Sequence, residues 1–123
     1  MPKTLGEFEQ LVLFAVLDLT RTGSEEEAYG VTVRRRIESR TGRVVSSGAV
    51  YTALDRLEAQ GLVSSHEGAP SSERGGRRKR LIRLEEPGLE ALGRSVATFH
   101  AMSKDLLPVL QARLGQNAQG GNP

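Results

Sequence analysis

Residues 45–63 read VSSGAVYTALDRLEAQGLV, a stretch that predicts one short helix with two different faces. Ser46 is a good N-cap, because its hydroxyl can accept a hydrogen bond from the first turn, and Gly61 can close the helix in the left-handed conformation. Apolar residues recur at helical spacing and form one stripe: Val50, Ala53, Leu54 and Leu57. The other side carries small and hydrogen-bonding residues, which suit a DNA major groove. Taken alone, the stretch is better described as an ordinary amphipathic surface helix.

Composition narrows the classes of protein that the chain can form. Its 123 residues, 37% of them hydrophobic, predict one domain with a modest core. There is no cysteine, and the two histidines, His66 and His100, lie in different segments. No nucleophile–base pair, carboxylate pair or phosphate loop occurs at a useful spacing. The sequence therefore predicts no enzyme activity, no metal site and no cofactor.

The hydrophobic pattern also predicts a cytoplasmic protein without a membrane partner. The longest apolar run covers only residues 11–17, whereas a membrane-spanning helix needs about 20 residues. The N-terminal MPKTLGEFEQ is too acidic for a signal peptide.

Positive charge is concentrated in two segments. Residues 31–43 and residues 66–83 each carry a net +4, which leaves −6 for the remainder of a chain whose net charge is +2. Such an uneven distribution favours a polyanion on one face of the molecule. The arginines of the first segment have two possible roles, which both stay open: they form a solvent-exposed face, or they contact phosphates.

Two further helices are predicted before the opening stretch. The first, 5–20, is apolar on nearly all sides and could be the central helix or part of a subunit interface. The second, from about 28 to 40, is expected to start after a capping box of Ser24 and Glu27 and to end at Gly42. A short turn then leads into 45–63, which makes a helix-turn-helix.

A β-hairpin with a basic tip follows the helix-turn-helix. Residues 62–67 and 77–84 have strand character, and the glycine-rich 68–76 must be a loop. Directly after a reader helix, such a hairpin is a wing. Its basic side chains would lie over phosphates or enter a minor groove: Arg74, Arg77, Arg78, Lys79 and Arg80.

A last helix is expected from Pro87 onwards, with an interruption near Pro108. Its seam repeats at heptad-like spacing through Leu89, Leu92, Val96, Phe99, Ser103, Leu106 and Leu110. The second half of this seam exceeds what a small core can bury, so a homodimer is the simplest explanation, with intramolecular burial as the alternative. The predicted organisation is a DNA-binding domain over 1–86, a dimerisation helix over 87–114 and a disordered tail over 115–123.

Three stretches resemble the PadR family of bacterial winged-helix repressors. They are LGEFEQLVLFAVL, AYGVTVRRRIESRTGRVVSSGAVYTALDRLEAQGLV and ERGGRRKRLIRLEEPGLEAL. The resemblance covers about residues 4–92, and its most specific part is G-x-x-Y-x-x-L-x-R-L-x-x-x-G-L-V over 48–63. The chain ends soon after one C-terminal helix, like the shorter branch of the family.

The resemblance implies a winged helix-turn-helix fold, mainly α with a small β-hairpin, and a nucleoid-associated homodimer on a palindromic operator. The C-terminal helix would make the dimer with help from the first helix, including Phe8. By position, Gly48, Tyr51 and Thr52 correspond to reader-helix residues, and 77–80 to the basic wing strand. Tyr29 corresponds to the tyrosine that opens the second helix and is expected among the DNA contacts.

This chain departs from the family pattern at three places. Leu81 and Ile82 stand where aromatic residues are frequent, which puts a ring contact there in doubt. LEEPG over 84–88 lacks the usual threonine cap, so a later start of the last helix is expected. Ser47 replaces a frequent proline, which should be harmless.

Roles follow for the side chains of the reader helix. Ser46, Ser47 and the backbone amides beside them would bind phosphate. Tyr51 and Thr52 would contact base edges, and Arg56 a base or a phosphate. Asp55 is an awkward neighbour for phosphates, so it is expected to pair with an arginine or to accept from a cytosine amine.

Two alternatives stay open. A small hydrophobic or aromatic effector could bind among Phe8, Phe14, Phe99 and Met102, although these four are better explained as ordinary core. A winged helix that binds only proteins, without DNA, is the other. The eleven basic side chains of the two charged segments argue against it.

Overall fold

Three helices lead into a β-hairpin, and two further helices follow. The computed structural model describes residues 4–70 and 75–120. The elements are α1 (Glu7–Thr20), α2 (Gly30–Thr41), α3 (Ser47–Ala59), β1 (Val63–Pro70), β2 (Arg78–Leu84), α4 (Glu86–Ser103) and α5 (Leu107–Gly120). The predicted class, mainly α with one small hairpin, is confirmed. Among the described residues, no helix is long and apolar enough to cross a membrane.

The chain divides into two compact units, Met1–Leu92 and Gly93–Pro123. The first unit therefore continues to Leu92, six residues past the boundary expected from the sequence, because Gly88, Ala91 and Leu92 are buried.

The core of the first unit is built on α1 and α3. Leu13 and Val16 of α1 are completely buried, as the apolar surface of this helix predicted. The stripe of α3 is buried as well, including Leu54 and Leu57. Each such side chain contributes roughly 1.5–3 kcal/mol to folding. Burial of this stripe leaves the other side of α3 outside the core.

The start of α2 differs from the prediction. The helix begins at Gly30 with Tyr29 as its N-cap, and Thr32 Oγ1 accepts a hydrogen bond of 3.0 Å from the Tyr29 amide. The Ala28 carbonyl instead accepts a 2.8 Å hydrogen bond from the Ile82 amide of β2. Because this bond uses the Ala28 carbonyl in a contact with the hairpin, the helix begins after this residue. The proposed capping box of Ser24 and Glu27 is wrong.

Two local signals at helix ends are confirmed. Gly42 closes α2 in the left-handed conformation, with φ 72°. The Ser46 hydroxyl caps α3 by accepting a 3.1 Å hydrogen bond from the Ala49 amide.

The hairpin pairs β1 and β2 in antiparallel register. Val63 lies opposite Leu84 and Glu67 opposite Arg80, and the register shifts between Glu67 and Pro70. β1 thus extends further towards the tip than expected. The tip residues 71–74, including Arg74, lie outside the described residues.

The α4 helix starts at Glu86, so the late start expected without a threonine cap is wrong. The Glu85 amide donates a 3.0 Å hydrogen bond to the Leu62 carbonyl, which fixes this junction. A Cβ added at Gly88 would lie 2.2 Å from the same carbonyl oxygen. The first turn of α4 therefore packs against the start of the hairpin only because residue 88 is glycine.

Replacing Gly88 with alanine should destabilise the protein by about 1–3 kcal/mol, the usual cost of overpacking. Urea unfolding measures this change. Gly93→Ala is the matched control, since a Cβ at Gly93 meets nothing within 4 Å and should stabilise the helix by about 0.5–1 kcal/mol. Equal urea midpoints for Gly88→Ala and the wild type would show that this junction is not tight.

The C-terminal region is helical beyond the predicted seam. The interruption expected near Pro108 is confirmed, because α4 ends at Ser103 and α5 begins at Leu107. Proline is tolerated in a first turn, where its missing amide would have no helical partner. The predicted disordered tail is wrong for residues 115–120, which belong to α5, and residues 121–123 lie outside the described residues.

Candidate nucleic-acid interface

The side of α3 opposite the core is exposed to solvent. Ser47, Gly48, Thr52 and Arg56 are all exposed there, and a Cβ added at Gly48 would meet nothing within 4 Å. The amides of the first turn of α3 carry the positive end of the helix dipole, which attracts anions. The structure thus brings together, on one exposed side of α3, four of the residues predicted to contact DNA.

Tyr51 lies at the edge of this exposed side. Its ring packs over the start of α2, where a Cβ at Gly30 would lie 2.5 Å from the Tyr51 Cε1 and Cζ atoms. Tyr51 is therefore half-buried, and its ring occupies the space that the missing side chain of Gly30 leaves. Nothing in the sequence pattern marks Gly30 as a residue that shapes the site, because its contact with Tyr51 depends on the fold.

The start of α1 borders the same surface. A shallow groove of about 500 Å³ runs between the two helices, and its lining includes Glu7, Phe8, Thr52 and Arg56. Arg43 lies nearby through its 2.9 Å ion pair with Glu7. Phe8, expected at a dimer interface, packs partly against the core and faces this groove.

The basic side chains of the wing are engaged by carboxylates. Arg78 Nε lies 2.8 Å from Glu67, and Lys79 Nζ lies 2.9 Å from Glu27. Arg80 reaches two residues of α3, Asp55 at 2.8 Å and Glu58 at 2.5 Å. Arg77, at the start of this run, is exposed.

The interpretation of Asp55 as a partner of an arginine is confirmed, and Arg80 is that arginine. The hydrogen bond from Arg80, followed by one from Ser65, keeps the pKa of Glu58 below its ordinary value. Burial acts to lower the pKa of Arg80, but its bonds to Glu58 and Asp55 raise it on balance. Glu58 and Arg80 therefore both stay charged at neutral pH.

Tyr29, which the sequence predicts as a DNA contact, exposes only 5% of its surface. Lys79 Nζ lies 5.1 Å from the centre of its ring, a cation–π distance. A ring with so little exposed surface is better placed to support Lys79 than to contact DNA directly.

The arginines of α2 are mostly paired within the protein. Arg36 and Arg40 both contact Asp18 of α1, and Arg34 lies 3.0 Å from Glu38. The hydrogen bond from Arg36 holds the pKa of Asp18 below its ordinary value. The two pairs with Asp18 join α1 to α2 and reduce the positive charge that the segment 31–43 presents to a ligand.

An open groove of about 410 Å³ lies between α1 and α2, and Leu11, Phe14, Leu17 and Ile37 form its apolar part. Of the four residues considered for an effector site, Phe14 lines this groove. Phe8 lines the groove beside α3, and Phe99 and Met102 are exposed on α4.

The predicted dimer seam is divided between core and surface. Leu92 is only 3% exposed and belongs to the core of the first unit, so its assignment to a dimer interface is wrong. Ser103 is half-buried. The other seam positions are large exposed hydrophobic residues: Leu89, Val96, Phe99, Leu106 and Leu110. Helix α5 adds Leu107, Val109 and Leu114 to the exposed hydrophobic residues.

A helix-turn-helix whose second helix has one exposed side, followed by a basic hairpin, defines the winged-helix class of proteins. Residues 18–94 match the model of the transcriptional regulator PadR-like family, and the chain belongs to this family. Members of this family are transcriptional regulators. None of the curated proteins compared with the chain matches it.

Solved structures share this fold. A PadR-like transcriptional regulator from Bacillus cereus is 22% identical, with 85% of this chain and 91% of that chain covered and a TM-score of 0.65. A PadR family regulator from Eggerthella lenta is 24% identical, with coverages of 85% and 86% and a TM-score of 0.61. A complex structure of hsRosR-S1 is 21% identical, with 94% of each chain covered and a TM-score of 0.62.

Proposed function

We propose that the protein is a homodimeric transcriptional repressor that binds a palindromic DNA operator. The observation that carries the proposal is the exposed side of α3, where Gly48 and Thr52 lie in the N-terminal half of the helix and Arg56 lies further along the same side, in the last turn. A helix N-terminus with small side chains can enter the major groove closely.

Each part of the surface takes a different role. The amides around Ser47 bind a phosphate, Thr52 contacts a base edge and Arg56 reaches a base or phosphate. Arg77, exposed just before β2, binds phosphate beside α3. Tyr51, held against Gly30, contributes to the choice of bases.

Dimerisation rests on the exposed hydrophobic side chains of α4 and α5. Phe99 and Met102 are 69% and 72% exposed, which is unusual for side chains of this size. A second copy of the chain that covers these side chains brings a second α3 helix, related to the first by two-fold symmetry. Release of the operator by a small hydrophobic or aromatic effector stays a prediction.

DNA binding should weaken steeply as salt rises, because neutralising phosphates releases counterions. Arg77→Ala removes one cation that binds a phosphate, so it should reduce the slope of log K against log salt concentration by about 0.9. Binding titrations at several salt concentrations measure this slope.

Arg94→Ala is the matched control, since it removes the same charge from α4 and should leave the slope as in the wild type. A flat slope for the wild-type protein would contradict DNA binding. A stable protein partner found together with such a slope would favour a winged helix that binds only proteins.

A further inference from the structure

Arg80 joins the wing to the reading helix. Its Nη1 atom lies 2.8 Å from Asp55 Oδ1, and its Nη2 atom lies 2.5 Å from Glu58 Oε1. Both terminal nitrogens of the guanidinium are therefore used by α3. The side chain is 30% exposed, much less than that of Arg78 at 61%.

The contact is extended by β1. Ser65 Oγ lies 2.9 and 3.0 Å from the two carboxylate oxygens of Glu58. Glu58 is thus held by both strands of the hairpin, and Asp55 by the second strand alone. One arginine and one serine fix the hairpin to the last turns of α3.

The spacing of the two carboxylates explains why the cation is an arginine. Asp55 and Glu58 are three residues apart on a helix, so they lie on neighbouring turns of one side. A planar guanidinium with two terminal nitrogens can reach both, whereas a lysine ammonium is a single point charge.

Asp55 also lies beside the surface that reads DNA. It follows Thr52 by three residues and precedes Arg56, and its side chain is 68% exposed. An uncompensated carboxylate at this place would repel phosphates. Arg80 of the hairpin supplies a compensating positive charge. Both of its terminal nitrogens are already bonded to carboxylates of α3.

We propose that Arg80 is a positioning residue for DNA binding: it holds the wing against α3 by bonding to both Asp55 and Glu58, rather than binding a phosphate itself. This inference rests on the proposed function. It differs from the sequence-based assignment, in which Arg80 is one of the basic residues of the wing in contact with DNA.

A double-mutant cycle separates the two roles. Operator affinity is compared for the wild type, R80A, the carboxylate variant D55N/E58Q and the combined variant. A positioning residue acts through its two carboxylates, so R80A should weaken binding about tenfold in the wild type and less than about twofold in D55N/E58Q. A phosphate ligand would cost a similar factor in both backgrounds.

Arg80→Lys gives a second test that keeps the charge and most of the side chain. Lysine can bind a phosphate but cannot span both carboxylates, so R80K should stay within about threefold of R80A. Arg83→Ala, an exposed arginine of the same strand, controls for the loss of one charge and should bind nearly as the wild type.

Recovery of wild-type affinity by R80K, or equal decreases in both backgrounds, would overturn the positioning role. Unchanged affinity of folded R80A would overturn it as well, since the ion pairs would then serve stability alone. A wild-type protein with no salt-dependent DNA binding is a different failure, that of the proposed function.

Discussion

Replacing Gly48 with glutamate should weaken operator binding about a hundredfold or more while leaving the fold intact. Gly48 is the second residue of α3, on the exposed side, and a Cβ there meets nothing within 4 Å. The larger side chain would occupy the space of a DNA groove, and like charges brought together at an interface cost several kcal/mol. A carboxylate near a helix N-terminus is favourable for the helix itself, so stability should not fall.

A loss of binding without a loss of stability makes this variant informative. Gly48→Ala is the matched control, because it adds a Cβ without charge, and it should bind within about a few-fold of the wild type while stabilising the helix by about 0.5–1 kcal/mol. Operator titration and urea unfolding measure the two properties. Wild-type affinity for Gly48→Glu would show that this end of α3 does not approach DNA.

The second large effect is expected from α4. Replacing Phe99 and Met102 together with glutamate places two charges on a side of the helix where both residues are exposed and one turn apart. Burying these charges between two copies should weaken dimerisation about a hundredfold or more. Operator affinity should then fall by about 10²–10⁴, the gain that two linked binding sites provide.

Ala97→Glu with Ala101→Glu makes the same change of charge on the opposite side of α4, where both alanines are exposed. That control should remain dimeric and bind normally. Sedimentation measures the oligomeric state, and titration on whole and half operators measures binding. A Phe99/Met102 double variant that stays dimeric would contradict the proposed dimer interface.

The opening stretch shows what the sequence predicts well. Its two caps act within the helix itself, and its apolar stripe follows a helical period, so both features of α3 are local. The first turn of α3, with Ser46 as its cap, needs no long-range interaction to be recognised. The exposed side of α3 can therefore be predicted too, because it is the side opposite the buried stripe.

Interactions between distant segments set the parts that the sequence does not predict. The start of α2 depends on the hydrogen bond between Ala28 and Ile82, more than fifty residues apart. Glu27 has the spacing of a cap, but in the folded chain it pairs with Lys79. The need of Asp55 for an arginine is visible in the sequence, whereas only the register of the hairpin selects Arg80.

The seam of α4 illustrates a different limit. The predicted heptad-like spacing runs from Leu89 of α4 to Leu110 of α5, but burial divides it, with Leu92 in the core and Phe99 exposed. The same helical period serves both purposes, so spacing alone cannot locate the boundary. The helix over 115–120 escapes prediction because its composition, rich in glycine and amides, is typical of disordered segments.

We expect selection of binding sites from random duplex DNA by the purified protein to recover a palindrome. Its half-site centres should lie about one helical turn, ~34–36 Å, apart, since two α3 helices related by symmetry contact it. Failure to enrich any sequence, or recovery of a site without two-fold symmetry, would contradict operator binding by a homodimer.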